Sequence, residues 1–261
     1  MEINKVYNEN CLDTMSRMPP NFLDLTVTSP PYDNLRKYNG FEFDFEKTAV
    51  ELYRTTKDGG VIVWIVSDST VKGSETGTSF KQALYFKEIG FCLYDTMIWM
   101  KPSPQTPTER RYYDVFEYMF VLSKNRPKTV KPLSDRKNKT IGTIRKVDIR
   151  SSKETRKYKD EIRMVGDYSR RFNVWEIPRD NNKTSHPAVF PEKLARDHIL
   201  SWSNEGDLVY DPFMGSGTTA KQCIENNRNY IGSEISSEYM KIIEERLSQA
   251  NDKYSLFSIK G

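Results

Sequence analysis

Residues 207–234 read DLVYDPFMGSGTTAKQCIENNRNYIGSE, and the order of their parts decides the fold. DLVYD is a short apolar strand, GSGTTAKQCIENN is a turn opening a helix, and NYIGSEI is a second strand carrying Glu234. Strand, glycine turn, helix, strand, acidic residue is the order in which open α/β folds assemble a nucleotide site, the carboxylate serving ribose hydroxyls. Glu234 stands 17 residues beyond Gly217, a spacing that suits this role. Gly215 and Gly217 tolerate positive φ and let the backbone come close to a ligand. A helix N-terminus offers amide donors to anionic oxygens. The turn lacks the lysine of GxxxxGK[ST], which disfavours an ATP-type phosphate loop; a ligand carboxylate can use the same donors. A lone GxG reads equally well as a helix cap, but here Asp211-Pro212-Phe213 precedes it and Gly232-Ser233-Glu234 follows.

Outward from this stretch, three apolar runs, Phe22–Thr28, Val61–Ser67 and Val115–Leu122, are too continuous for a sheet with one wet face and indicate parallel α/β architecture. Gly59-Gly60 is a turn signal before the second run. Phe80, Ala83 and Leu84 line one side of a helix ending near Gly90, and a further strand covers Cys92–Trp99. Pro191 opens a helix running to about Ser201. Ser236–Gln249 closes the chain as a helix with Tyr239, Ile242, Ile243 and Leu247 at helical spacing.

Charge is unevenly distributed. Lys124–Lys183 holds 19 Lys or Arg against 8 Asp or Glu, a net of +11, which leaves −7 on the rest of a chain whose total is +4. Such a segment in an acidic body suits a polyanion-facing insert, and equally a solvated loop. The three cysteines are odd in number and widely spaced, against a disulfide framework or a metal knuckle. His186 and His198, the two histidines, have no companion Cys or Asp cluster, so no metal is expected. MEINKVYNEN has neither a basic leader nor an apolar core, and no apolar run is long enough to span a bilayer, so the cytoplasm is the expected compartment.

Thr28-Ser29-Pro30-Pro31-Tyr32 follows the first buried run, so these residues emerge at the C-terminal edge of the sheet, where open α/β sheets place ligands. Paired prolines fix the main chain and end the ladder. Ser29 Oγ and the Pro30 carbonyl supply two acceptors for an amino group on a planar ring, and Tyr32 offers a face for stacking an extracted base. Alone, SPPY is only a turn with an aromatic anchor; its weight comes from the GxG site elsewhere in the chain.

Together the motifs resemble the DNA amino-methyltransferases, in the subgroup where the catalytic motif precedes the cofactor motif. YNENCLDTM (residues 7–15) resembles the family's N-terminal segment, whose aspartate, here Asp13, approaches the cofactor's adenosine. VFEYMFVLSK (115–124) resembles the strand ending the catalytic half, and NVWEIP (173–178) with HPAVFPEKLARDHI (186–199) resembles the segment holding the cofactor's methionine moiety. The resemblance implies a Rossmann-like, S-adenosylmethionine-dependent methyltransferase fold, permuted in motif order, with seven strands of which the last is antiparallel. It implies three regions: a catalytic half at 1–124, a basic target-recognition region at 125–171 and a cofactor half at 172–261. Ser29, Pro30, Pro31 and Tyr32 are then catalytic, and Asp13, Asp211, Phe213, Gly215, Gly217, Thr218 and Glu234 hold S-adenosyl-L-methionine. Double-stranded DNA is the expected partner, with a possible cognate restriction endonuclease, and the expected form is a monomer or homodimer. SPPY resembles the cytosine-N4 group, although serine can accept from adenine N6 as well. Rival readings are methylation of RNA or protein, or a non-enzymatic nucleic-acid-binding protein. Carbon-5 methylation is disfavoured, since no cysteine has the setting of a ring nucleophile.

Overall fold

The computed structural model describes residues 1–31, 43–102, 111–149, 157–180 and 191–258. The chain divides into two units, one of Met1–Lys131 with Asn173–Gly261 and one of Pro132–Phe172. The larger begins with β1 (Lys5–Tyr7), α1 (Cys11–Ser16), β2 (Leu23–Thr28), α2 (Phe45–Thr55) and β3 (Thr56–Val66). A hairpin of β4 (Thr70–Val71) and β5 (Ser74–Glu75) leads to α3 (Thr78–Glu88), β6 (Cys92–Met100) and β7 (Phe116–Ser123). The smaller unit carries β8 (Arg136–Lys137), β9 (Ile144–Ile149), β10 (Lys157–Met164) and β11 (Tyr168–Ser169). The larger unit resumes with β12 (Val174–Glu176), α4 (Glu192–Trp202), β13 (Leu208–Asp211), α5 (Thr218–Glu225), β14 (Asn229–Ser233) and α6 (Ser237–Ser258).

Eight strands form one sheet in the order β1-β14-β13-β2-β3-β7-β6-β12. Neighbours are parallel throughout except at β7, which runs antiparallel to both β3 and β6. Alternate residues of β3 feed two cores: Val61, Val63 and Ile65 join one cluster, and Ile62, Trp64 and Val66 the other. Burial on both faces is why these runs lack polar alternation. It reports covering and not direction, and the third run, β7, is the antiparallel strand. β7 nonetheless pairs with β3 from Tyr118 beside Val66 to Ser123 beside Val61.

Three expectations are corrected. Among the described residues the sheet has eight strands and not seven, because Val174–Glu176 adds an edge strand to β6; the Trp99 indole donates to the Ile177 carbonyl at 2.8 Å and pins this edge. Gly59-Gly60 does not precede a strand but lies within β3. Gly59 has φ +75°, and a Cβ there would fall 2.7 Å from Lys128 Cγ, so the kink needs glycine. On α3 the buried side is Ser79, Gln82, Ala83 and Phe86, whereas Phe80 and Leu84 are 49% and 64% exposed. A polar residue takes the inward place because the Gln82 amide oxygen accepts from the Trp64 indole at 2.9 Å. His198 is buried, stacked on Trp175 with ring centroids 4.5 Å apart, as befits a structural residue; His186 lies outside the described residues.

In the smaller unit, β9 and β10 pair antiparallel with a register shift between Tyr158 and Ile162, and β8 pairs with β11. The Arg171 guanidinium bonds Asp135, and its amide donates to the Leu133 carbonyl at 2.8 Å, which closes the ends of this unit on each other.

Candidate active site

The strand order diverges between β13 and β2. From β13 the chain passes through α5 to β14 on one side, and from β2 through α2 to β3 on the other. In parallel sheets the crevice at such a switch point receives the ligand. β13 and β2 pair with Tyr210 beside Thr26, so the glycine turn and Ser29-Pro30 leave adjacent strands at one edge.

Asp211, the last residue of β13, joins the two motifs. Its carboxylate accepts from Thr28 Oγ1 at 2.6 Å, Thr219 Oγ1 at 2.7 Å and the Phe213 amide at 3.0 Å. Burial pushes its pKa up from 3.8 to about 6, against the pull of those three donors. Ser29 and Pro31 are half-buried and Pro30 is buried. Tyr32 lies outside the described residues. Phe213 packs edge-on against Phe43, centroids 5.1 Å apart.

Gly215 and Gly217 both have positive φ, +56° and +82°. A backbone bond from the Gly217 amide to the Met214 carbonyl, 2.9 Å, closes the turn. Gly217 caps α5 without any side-chain bond, leaving the first-turn amides with no capping side chain to compete with an anion. Thr218 opens α5, buried. At Gly232 a Cβ would come 2.2 Å from Met214 Cε, the movable end of that side chain, and 3.2 Å from Val6 Cγ2, so the turn packs closely on β14 here.

Glu234 is clamped at both oxygens: Oε2 accepts from the Gly215 amide and Oε1 from the Ser236 amide, each at 2.8 Å. Burial raises its pKa, opposed by those amides. Each carboxylate oxygen has two acceptor sites, so the clamp orients the group while leaving acceptor capacity for a diol. The donors, the clamped acid and the absence of a Cβ at Gly215 and Gly217 fit a nucleoside carrying a carboxylate tail.

Asp13 sits on the exposed side of α1. The N-terminal residues that reach Glu234 are instead Tyr7, whose carbonyl accepts from the Glu234 amide at 3.0 Å, and Asn8, whose side chain donates to the Glu234 carbonyl at 2.8 Å. Thr28 and Thr219, quoted with the motifs but given no role by them, brace Asp211 through their hydroxyls, and Arg246 stands outside every motif. From α6, Arg246 Nη1 donates to the Ser216 carbonyl and Oγ, both at 2.7 Å, and Nη2 to Glu192 at 2.9 Å. Glu192 also holds Lys221 at 2.6 Å. Thr28 adjoins SPPY and was open to notice; Arg246 lies 29 residues past Gly217 on a separate helix, without a local signal. At the same sheet edge, Lys101 and Glu117 form a buried ion pair, with Lys101 over the Trp99 ring at 5.0 Å.

A mostly parallel sheet with one internal antiparallel strand, a glycine turn at the switch point and a clamped acid on the next strand defines a nucleoside-cofactor transferase of the methyltransferase fold. The sequence profile of the DNA methylase family, N6_N4_Mtase, matches residues 23–245, and the chain belongs to that family of S-adenosylmethionine-dependent DNA amino-methyltransferases. The orphan methyltransferase M.BamHII of Bacillus amyloliquefaciens is 58% identical over 239 residues, covering 86% of this chain and 88% of that protein. Among solved structures, the PvuII DNA methyltransferase, described as cytosine-N4-specific, superposes with a TM-score of 0.69 at 21% identity, covering 96% of this chain and 91% of that one. A putative DNA modification methylase of Thermus thermophilus, complexed with S-adenosyl-L-methionine, gives 0.65 at 22% identity, covering 94% and 93%.

Proposed function

We propose that this chain transfers a methyl group from S-adenosyl-L-methionine to the N4 amino group of cytosine at specific sites in double-stranded DNA. The observation that carries the reading is the brace from Thr28 to Asp211, which ties the residue before Ser29 to the strand that ends at the glycine turn. Glu234 would hold the ribose hydroxyls, and the turn from Gly215 to Thr218 the carboxylate of the methionine tail. Bound there, the cofactor supplies an electrophilic methyl on a sulfonium. Ser29 Oγ and the Pro30 carbonyl accept from the amino group and direct its lone pair, and such orientation is a large part of what a site contributes to a bimolecular transfer. The new bond is nitrogen to carbon, the broken one sulfur to carbon, and a proton leaves nitrogen to water afterwards. Asp211 is committed to three donors and acts as a brace, not as a base. Serine at position 29 supports cytosine N4, as does the specificity named for the PvuII enzyme.

We assign the basic segment 125–171 to target recognition, its cations setting the register on phosphates. A companion restriction endonuclease is part of the same proposal, tested by whether methylated DNA resists an endonuclease from the same source. The deciding experiment incubates the protein with mixed-sequence duplex DNA and labelled cofactor, followed by nucleoside analysis. N4-methylcytosine is expected; N6-methyladenine overturns the choice of base, and no labelled nucleoside overturns the reading. Ser29→Ala should lower turnover at unchanged cofactor affinity. Glu234→Gln should weaken cofactor binding about tenfold or more, the scale of a lost charge-assisted hydrogen bond.

A further inference from the structure

We propose that Tyr112 and Tyr113 form a stacking platform for nucleobases that flank the methylated base. β7 runs against its neighbours, so its first residues stand where β2, β3 and β6 end: Tyr118 pairs with Val66 and Phe116 with Met100. The segment Arg111–Val115 enters β7 at that edge and is held at both ends. Arg111 bonds the Gly73 carbonyl and, at 3.4 Å, Glu75 of the β4–β5 hairpin. The Val115 carbonyl accepts from the Lys101 amide at 2.6 Å. Between these anchors Tyr112 is 101% exposed and Tyr113 54%. Behind them Phe116 and Phe80 each meet Tyr118 edge-on, at 5.3 and 5.2 Å.

A tethered pair of exposed rings at this edge has a specific neighbour. β7 is two strands from β2 in the sheet, a lateral distance of about 10 Å at the usual strand spacing, less than the roughly 12 Å breadth of a major groove. A duplex whose base is presented to Ser29 and Pro30 therefore extends over this segment. Drawing a base from the stack leaves its neighbours without a partner face, and aromatic side chains supply such a face without regard to sequence. Arg111 is already engaged with the hairpin and the exposed Asp114 accepts from the Phe116 amide at 3.4 Å, so between the anchors this segment offers rings and no free cation.

The inference rests on the DNA-methylation reading, and the experiment separates the two. Wild-type protein is first assayed for transfer to mixed-sequence duplex DNA; failure at that step removes the functional reading before any variant is made. The double variant Tyr112→Ala/Tyr113→Ala is then expected to bind duplex DNA roughly tenfold or more weakly, with an unchanged slope of log affinity against log salt, because no phosphate contact is lost. Its affinity for S-adenosyl-L-methionine should stay within about twofold, showing a folded site, and Tyr112→Phe/Tyr113→Phe should restore DNA binding. Wild-type DNA affinity in the alanine variant, equal rescue by Leu at both positions, or a parallel loss of cofactor affinity would each overturn the platform.

Discussion

Asp211 is an ionisable group held where ionisation is expensive. Its folded-state pKa of about 6 lies above the ordinary 3.8, so the folded protein holds this proton more tightly than the unfolded chain. The stability it contributes is fully present below about pH 4 and is lost as pH rises through about 6, a change of about 3 kcal/mol at about 1.4 kcal/mol per unit. Relative to Asp211→Asn, which has no such step, the wild type should gain in melting temperature between about pH 7 and about pH 4; a flat difference over that range contradicts the assignment. The cysteines make a second residue-scale case. Cys11 and Cys223 are buried, and burial raises both thiols, Cys11 to about 11. Cys92 opens β6, at the end of that strand away from Met100 and the site. Thiolate nucleophiles sit in electropositive, accessible places, so Cys223→Ala should cost about 1 kcal/mol in packing and leave methyl transfer within about twofold, measured with labelled cofactor at saturation. The glycines and Glu234 were legible because their chemistry is local: positive φ and a carboxylate at fixed spacing. Thr28 and Thr219 matter only through the carboxylate they share, a relation no single segment displays.

The glycine turn is supported by more than its own glycines, because α6 places Arg246 against it and α4 places Glu192 against Arg246. Arg246→Met should release the Ser216 carbonyl and weaken cofactor affinity by about tenfold, one charge-assisted hydrogen bond or slightly more, while turnover at saturating cofactor changes much less. Calorimetric titration beside steady-state rates checks this, and an equal fall in both would show general damage to the fold. Arg246→Lys should recover only part of the affinity, since an ammonium cannot span Ser216 and Glu192 as a planar guanidinium does. Elements with strong apolar runs were readable: β2, β13 and β14 stand where the runs placed them, and β3 starts five residues before its run. The inward face of α3 was placed correctly at Ala83 but not at Phe80 and Leu84, which outweigh Gln82 in hydrophobicity, whereas in the fold Gln82 turns inward to accept from the Trp64 indole. The edge strand β12 was missed as a strand because three residues carry too little pattern to distinguish a strand from an extended link.

For the whole molecule, charge separates the two units. Pro132–Phe172 holds 13 Lys or Arg against 6 Asp or Glu within a chain of net +4. If these cations replace counterions on a duplex, log affinity should fall linearly with log salt, with a slope of roughly −3 or steeper. Cofactor affinity, which in the proposed site draws on the glycine turn and Glu234, should change little over the same range; a salt-insensitive DNA affinity would sever the basic unit from DNA binding. The charge of this segment is legible in the sequence, whereas small strands or a hairpin stay only an open option there, because short apolar islands between charges carry no clear period. The strand order has a further bearing on how the enzyme is made. β2, which presents Ser29, is flanked by β13, and the opening strand β1 finds its partner only in β14. β1 thus waits for β14 before it has a neighbour, and β2, which pairs with β3 soon after it is made, gains its second neighbour only with β13, so these contacts are distant in sequence and assembly is expected to be slow. A nascent chain on the ribosome has no finished crevice until Glu234 has emerged to meet the Gly215 amide, so the proposed cofactor site is expected to close only once β13 and β14 have both been made.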